Sequence, residues 1–299
     1  MPDVFGMGEI LVDKIRTSTG EEKWLAGGSV FNTLMNLHLM GIPVAFHSSL
    51  SKDEEGCFLT ELLAESGFSV SLFSSSEKTL YAEVQLDSGG NPTFKIFNRE
   101  LLHLLFEEKH KTIMRNCKVF HTSAFSINYT GSRDAVLKAF EFAQEKEVFV
   151  SFDLNMRSLE GDIPPEELRD IAIELMLTAD FTKPSRDDLS LLFPDLKLPA
   201  IIEILRKRAR GNVVITHGGS PIIHIKDGET REIEVNKVPV VDGTGAGDAF
   251  NAAVLASVLK GIPFSEAIES GKLLASMVVG HYGALAGPED LLAVKSRIF

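Results

Sequence analysis

Cysteine is nearly absent from this sequence: Cys57 and Cys117 are the only two among 299 residues, far apart and in no CxxC pair. That excludes a disulfide framework or a cysteine-based zinc site and leads us to expect a reducing, cytoplasmic setting. Positive charge is also short. Thirty Lys and Arg against 42 Asp and Glu leave a formal net charge of −12, with no long basic block to offset it. Nucleic acid and anionic membrane surfaces are therefore excluded as main partners. No apolar run approaches the length of a membrane span. The opening "MPDVFGMGEILVD" is acidic, lacks a small-residue cleavage pattern and reads as a first strand rather than a signal peptide. Linkers, low-complexity tracts and internal repeats are missing too. So are the two commonest phosphate-binding patterns, GxxxxGK[ST] and GxGxxG.

What is present is an alternation. Short β-rich runs ("DVFGMGEILV", "PVAFHSSL", "KVFHTSAFSI", "EVFVSFDLN", "ADFTKPS", "NVVITHGG") are separated by amphipathic stretches such as "SRDAVLKAFEFAQEK" and "PPEELRDIAIELMLT". Such an order predicts an α/β fold with a mostly parallel central sheet covered on both faces. Ligands of such folds bind at the carboxyl ends of the strands, where "FDLNMR", "TKPSRDD" and "ITHGGS" gather polar side chains. Two stretches lack a helical partner, about residues 11–25 and 79–98. They read as antiparallel strands of a small projecting sheet, the second with a hairpin turn at "DSGGNP".

The densest cluster of small residues is "VVDGTGAGDAF", Val240 to Phe250. The preceding "EIEVNKVPVV" reads as a strand and the following "AFNAAVLASVLKG" as a helix that ends at Gly261. Glycines at a helix N-terminus let an anion approach unpaired backbone N–H groups at the positive end of the dipole. The amides of Gly245, Ala246 and Gly247 suit a transferring phosphoryl group, and Asp248 beside them suits removal of a proton from an alcohol. The plainer alternative is that Asp248 only caps the helix. A second cluster, "LAGGSVFNTLMNLHLMG", sets Gly27 and Gly28 before a helix that carries Ser29 and Asn32 in its first turns. A small polar ligand can sit against such backbone, with Asn32 in hydrogen-bonding reach. Asp13, near the end of the first strand, lies where a sugar hydroxyl can be held. Trp24 reads equally well as a ligand contact or as packing, and "RKRARG" as a basic helix C-terminus.

The paired-glycine helix and the "DGTGAGDAF" loop resemble, in order and spacing across essentially the whole chain, the two signatures of the ribokinase-like (PfkB) carbohydrate kinases. "GEILVD", "FNRE" and "FDLNMR" resemble most the fructokinase and 2-keto-3-deoxygluconate kinase branch. The resemblance implies a Rossmann-type three-layer sandwich with a small β-sheet lid. It also implies phosphoryl transfer from ATP to a sugar hydroxyl, with Mg2+, often with K+, and in many members a homodimer formed through the lid. It puts the catalytic base on Asp248 and the anion hole on Gly245, Ala246 and Gly247. Sugar contacts fall on Asp13, Gly27, Gly28, Asn32, Arg99 and Arg157. Nucleotide contacts fall on Asn155, Lys183, Thr216, Gly218, Gly219 and Ser276. Asp188 falls on the carboxylate that orders Mg2+ through water, and Asp242 and Thr244 on the monovalent-cation site. The chain departs from the pattern in three places. The family's NxxE reads Ser185-Arg186-Asp187-Asp188, Pro221 replaces a glycine of the adenine loop, and Ala275-Ser276 stands where an asparagine is common. The acceptor expected is a ketohexose such as fructose. The alternatives are 2-keto-3-deoxygluconate, ribose, an inositol or a nucleoside, or a non-catalytic sensor of sugar or nucleotide.

Overall fold

The computed structural model describes residues 1–16, 22–86, 92–156 and 158–299. In chain order, strand β1 (Val4–Met7) leads into β2 (Leu11–Arg16) and β3 (Glu22–Gly27), then helix α1 (Ser29–Leu39). Strands β4 (Val44–His47) and β5 (Ser49–Leu50), helix α2 (Glu54–Glu65), and strands β6 (Ser74–Ser75), β7 (Tyr81–Leu86) and β8 (Pro92–Phe97) follow. Helix α3 (Glu108–Met114), β9 (Val119–Ser123), α4 (Thr130–Glu145), β10 (Phe149–Asp153), α5 (Pro165–Thr178) and β11 (Phe181–Lys183) continue the alternation. Then come α6 (Arg186–Leu192), α7 (Leu198–Arg208), β12 (Asn212–Ile215), β13 (Ile222–Lys226) and β14 (Glu229–Ile233). Helices α8 (Ala246–Leu259), α9 (Phe264–Val278) and α10 (Pro288–Ile298) complete the chain.

Eight strands form the main sheet in the order β14-β13-β12-β11-β10-β9-β1-β4. Pairings from β12 to β4 are parallel, and only the β12–β13 and β13–β14 pairings are antiparallel. Successive side chains of a strand face opposite sides, so a sheet covered on both faces is apolar throughout. Val213 and Ile215 pack into one core with α3, α4, α5 and α7, while Val214 packs into the other with α1, α8, α9 and α10. The mostly parallel three-layer sheet expected from the alternation is present. A smaller sheet, β3-β2-β7-β8, has β2 parallel to β7 and antiparallel outer pairs.

Two local readings need correction. The opening run is not one strand: it breaks at Gly8–Ile10 and passes from the main sheet into the small one, so Asp13 belongs to β2. The strand read through "EIEVNKVPVV" stops at Ile233. Among the described residues the chain beyond β14 pairs with no strand, and Pro239 has no amide to donate to one. The valines whose alternation suggested a strand instead line a cleft, and Val241 and Asp242 donate their amides to Val279 O. The "DSGGNP" turn lies almost wholly outside the described residues.

Candidate active site

The carboxyl ends of three adjacent parallel strands bring Ser123, Asp153 and Lys183 into register. The Lys183 ammonium lies 3.1 Å from Asp153 Oδ1, both groups fully buried. Opposite them stands the N-terminus of α8. Gly245 caps it at φ 75°, a left-handed conformation, and a Cβ there would come within 2.3 Å of Ala284 Cβ and 2.7 Å of Ala284 O. Only glycine fits this turn. The first turn of α8 carries Asp248, whose carboxylate is buried.

Helix α1 supplies the partners of Asp248. Ser29, Asn32 and Asn36 recur at helical spacing on one buried face, which packs on α8. Ser29 Oγ donates to Asp248 Oδ1 at 2.8 Å and Asn32 Nδ2 donates to Asp248 Oδ2 at 2.8 Å. Asn36 Oδ1 accepts from Ala286 N, tying α1 to the segment beside Gly245. Before α1, Gly28 adopts φ 110° against the Glu9 carbonyl. The buried Glu9 carboxylate accepts from the Ser29 and Val30 amides and from the Ser123 and Ser126 hydroxyls. Burial raises the pKa of Glu9 and these bonds oppose it.

Burial and the neighbouring charge of Asp153 push the Asp248 carboxyl up to about 7, against the pull of Asn32, Ser29 and Lys183. A carboxylate there is a base matched to neutral pH. Burial works against the Lys183 charge, but the Asp153, Asp188 and Asp248 carboxylates outweigh it and its pKa is raised.

Asp248 lies on the boundary of two cavities. The first is lined by Asp13, Gly28, Ser29, Asn32, Phe125, Asn155 and, from the small sheet, Leu11, Ala82 and Ile96. The buried Asn32 Oδ1 has no hydrogen-bond partner among the described residues. A polar atom of this kind calls for a donor from a ligand. The second cavity holds Asp153, Asn155, Lys183, Asp188, Thr216 and the loop Gly243–Gly247. It continues into an apolar cleft lined by Gly218, Gly219, Val235, Val238, Val240, Phe250, Ala275 and Ser276. Gly27 packs against Asp13, and Arg99 follows the left-handed Asn98 with its guanidinium 4.7 Å from the Phe125 ring centroid. Arg157 lies outside the described residues. The structure thus brings Asp13, Gly28, Asn32, Asn155, Lys183, Asp188, Thr244 and Asp248 to two adjoining cavities, with Arg99 stacked behind Phe125 of the first.

Asp188, placed by the resemblance at the magnesium-ordering position, closes a capping box on α6: its Oδ2 accepts from Ser185 N, and Ser185 Oγ accepts from Asp188 N. Its Oδ1 accepts from Met156 N. No three acidic, His or Cys side chains among the described residues converge on a metal. A magnesium ion carried on nucleotide phosphates needs only one or two carboxylates and keeps several waters, and Asp188 on the cleft wall fits that. The buried Asp242 accepts from Thr244 N and Gly283 N, a single carboxylate inside the loop, which suits a monovalent cation.

Sequence reasoning named Ser29 without a role and passed over Glu9, Asp153, Asn36 and Asn251. Glu9 and Asp153 sit inside the quoted "GEILVD" and "FDLNMR". A lone carboxylate in an apolar run, at the end of a strand, was the available signal.

Fold and site together suit a small-molecule kinase: a buried carboxyl beside a glycine-capped helix N-terminus, between a polar pocket and an apolar cleft. A family model for pfkB family carbohydrate kinases matches residues 5–291, so the chain belongs to that family and is a sugar kinase. It is 28% identical to the ATP-dependent 6-phosphofructokinase of Thermoanaerobacterium thermosaccharolyticum, over 98% of this chain and 93% of that protein. It is 26% identical to Klebsiella pneumoniae fructokinase, over 87% and 86%. Among solved structures, Xylella fastidiosa fructokinase with bound ATP superposes with TM-score 0.82 at 23% identity, covering 99% of both chains. An E. coli chain solved with ATP and Mg2+ gives 0.82 at 24%. A Vibrio cholerae fructokinase double mutant bound to fructose, ADP and potassium gives 0.82 at 20%. These likenesses give the ribokinase-like fold.

Proposed function

We propose that the protein transfers the γ-phosphoryl group of ATP to a hydroxyl of a ketohexose, fructose first, with Asp248 as general base. The observation that carries this reading is the place of Asp248: it borders both cavities, buried, with its carboxyl near 7. The acceptor occupies the first cavity, its hydroxyls bonded by Asp13, the Gly27-Gly28 backbone and the open Asn32 Oδ1. Asp248 takes the proton of the hydroxyl that attacks. The amides of Gly245, Ala246 and Gly247 hold the transferring group, and Lys183, with Asn155, faces it from the strand side. Asp188 would hold a magnesium ion through water, which when bound would neutralise charge on the phosphates, and Asp242 and Thr244 would hold a potassium ion. Thr216, Gly218, Gly219 and Ser276 frame the nucleoside. The small sheet acts as a lid, contributing Leu11, Asp13, Ala82 and Ile96 and excluding water when it closes. Dimerisation through this sheet is a separate expectation that light scattering decides.

A phosphorylated ketohexose is the second reading. It is favoured by the match to a 6-phosphofructokinase over 98% of the chain and by a guanidinium, Arg99, stacked on Phe125 of the pocket wall. The deciding experiment is ADP release with ATP and Mg2+, with and without K+. The acceptors are fructose, fructose 6-phosphate, 2-keto-3-deoxygluconate, ribose, myo-inositol and adenosine. Fructose as best acceptor supports the first reading, and fructose 6-phosphate the second. Turnover of another member replaces both, and binding by thermal shift without any turnover points to a sensor.

A further inference from the structure

Ser29 carries one proton and stands between two carboxylates. Its Oγ is 2.8 Å from Asp248 Oδ1 and 3.2 Å from Asp153 Oδ2. It can donate to only one at a time. Asp153 is held on its other sides: Oδ1 by the Lys183 ammonium at 3.1 Å, and Oδ2 also by Asn251 Nδ2 at 2.9 Å. Asp153 does not line the acceptor pocket, so it is not a rival base. Among the described residues it is the group that touches both Ser29, the partner of the base, and Lys183, the cation beside the phosphate path.

We propose that Ser29 and Asp153 form a positioning pair that holds Asp248 in place through both of its protonation states. While Asp248 is ionised, Ser29 donates to Oδ1. When Asp248 has taken the proton of the acceptor hydroxyl, the carboxyl O–H on Oδ1 donates to Ser29 Oγ, and the Ser29 proton turns to Asp153 Oδ2. The acceptor oxygen bonds to the γ-phosphorus as the bond to the ADP oxygen breaks. At Ser29 only hydrogen bonds change. Asp248 need not move between the two states, and Lys183 stays anchored by the same carboxylate. The inference rests on the reading of Asp248 as the base.

The ionisable groups around this pair are His121 on β9, Asp153 on β10, Lys183 on β11 and Asp188 on α6, with Glu9 and Asp13 on the pocket side. Their arrangement gives the two substitutions opposite signs. Ser29→Ala removes a donor to the ionised form and raises the point at which Asp248 titrates. Asp153→Asn removes a negative neighbour and lowers it.

The test needs no known acceptor. Melting temperature is measured from pH 5 to 9 for Asp248 and Asp248→Asn chains in three backgrounds: wild type, Ser29→Ala and Asp153→Asn. The difference curve in each background reports the titration of Asp248. We expect an inflection near pH 7 in wild type, displaced upward by roughly half a unit or more in Ser29→Ala and downward by a similar amount in Asp153→Asn. Ser29→Thr, which keeps a hydroxyl, should restore the wild-type position. Inflections that coincide in all backgrounds, with Tm lowered evenly across pH, overturn the pair and leave Ser29 and Asp153 as packing. Failure of the underlying reading looks different: Asp248→Asn would then keep full turnover on the acceptor that the sugar panel identifies.

Discussion

Asp248 is asked to be two things at once, a buried group and a charged one. Its carboxyl titrates near 3.8 in an unfolded chain and near 7 in the fold. A raised acid favours folding fully below pH 3.8, and that contribution is lost as pH rises through 7, because the unfolded chain then ionises more readily. Asp248→Asn should therefore cost activity and add stability. We expect kcat to fall by at least ~100-fold with nucleotide binding kept, and Tm at pH 8 to rise by several degrees, read by calorimetry. A variant of near-normal kcat would remove the base assignment. Gly247 is a second case. A Cβ there would lie 2.9 Å from Lys183 Nζ, so Gly247→Ala should push the ammonium off Asp153. The loss of one charged hydrogen bond on the phosphate side is worth roughly tenfold in kcat/KM for ATP. Steady-state kinetics at varied ATP should show that loss with little change in KM for the sugar.

At the scale of elements, α6 shows how a departure from a family pattern can be a local device. Ser185 and Asp188 cap each other, and the same carboxylate also fixes Met156 in the loop after β10. Ser185→Ala should cost about 1 kcal/mol of stability, measured by urea unfolding, and should raise the magnesium concentration needed for half-maximal activity. An unchanged magnesium dependence would detach Asp188 from the metal. The elements themselves were legible wherever period and caps agreed. Helix α8 ends before Gly261 as its sequence reads, and β9 to β12 follow from apolar runs broken by polar ends. Two things were not legible. The break at Gly8–Ile10 cannot be seen locally, because β1 and the first residues of β2 are both apolar and only pairing with β9 or β7 separates them. The cleft-lining valines after Ile233 alternate as a strand does, and only the lack of a strand pairing in the fold tells them apart. At the site, Asp248 and its glycines were visible as a motif. The bonds from Ser29 and Asn32 span more than 200 residues of sequence and depend on how α1 packs on α8.

At the scale of the whole molecule, buried histidines give the fold an acid limit. His47 on edge strand β4 accepts the Leu105 amide at Nε2 at 2.9 Å and donates from Nδ1 to Leu72 O, joining the main sheet to the segments before β7 and after β8. Its ring lies 4.3 Å from that of His110. Burial and the neighbouring His110 push the pKa of His47 down from 6.5 to about 3, and burial pushes His121 down to about 4. A lowered histidine contributes stability that is complete above pH 6.5. That stability is lost as pH falls toward the folded value, since the unfolded chain takes up protons the fold refuses. By pH 5 the cost is roughly 2 kcal/mol for each of the two. Asp248 has the opposite sign: its contribution falls between pH 3.8 and 7 and is level above, so it offsets part of the histidine slope on the acid side. His47→Gln keeps a donor and an acceptor but cannot titrate. It should lower Tm somewhat at pH 7.5 and flatten the fall between pH 6.5 and 5, while Asp248→Asn, which removes the opposing slope, should steepen the fall from pH 7 to 5 and raise Tm by a constant amount above pH 8. Tm curves of the two variants that stay parallel to wild type would mean that other groups set the limits.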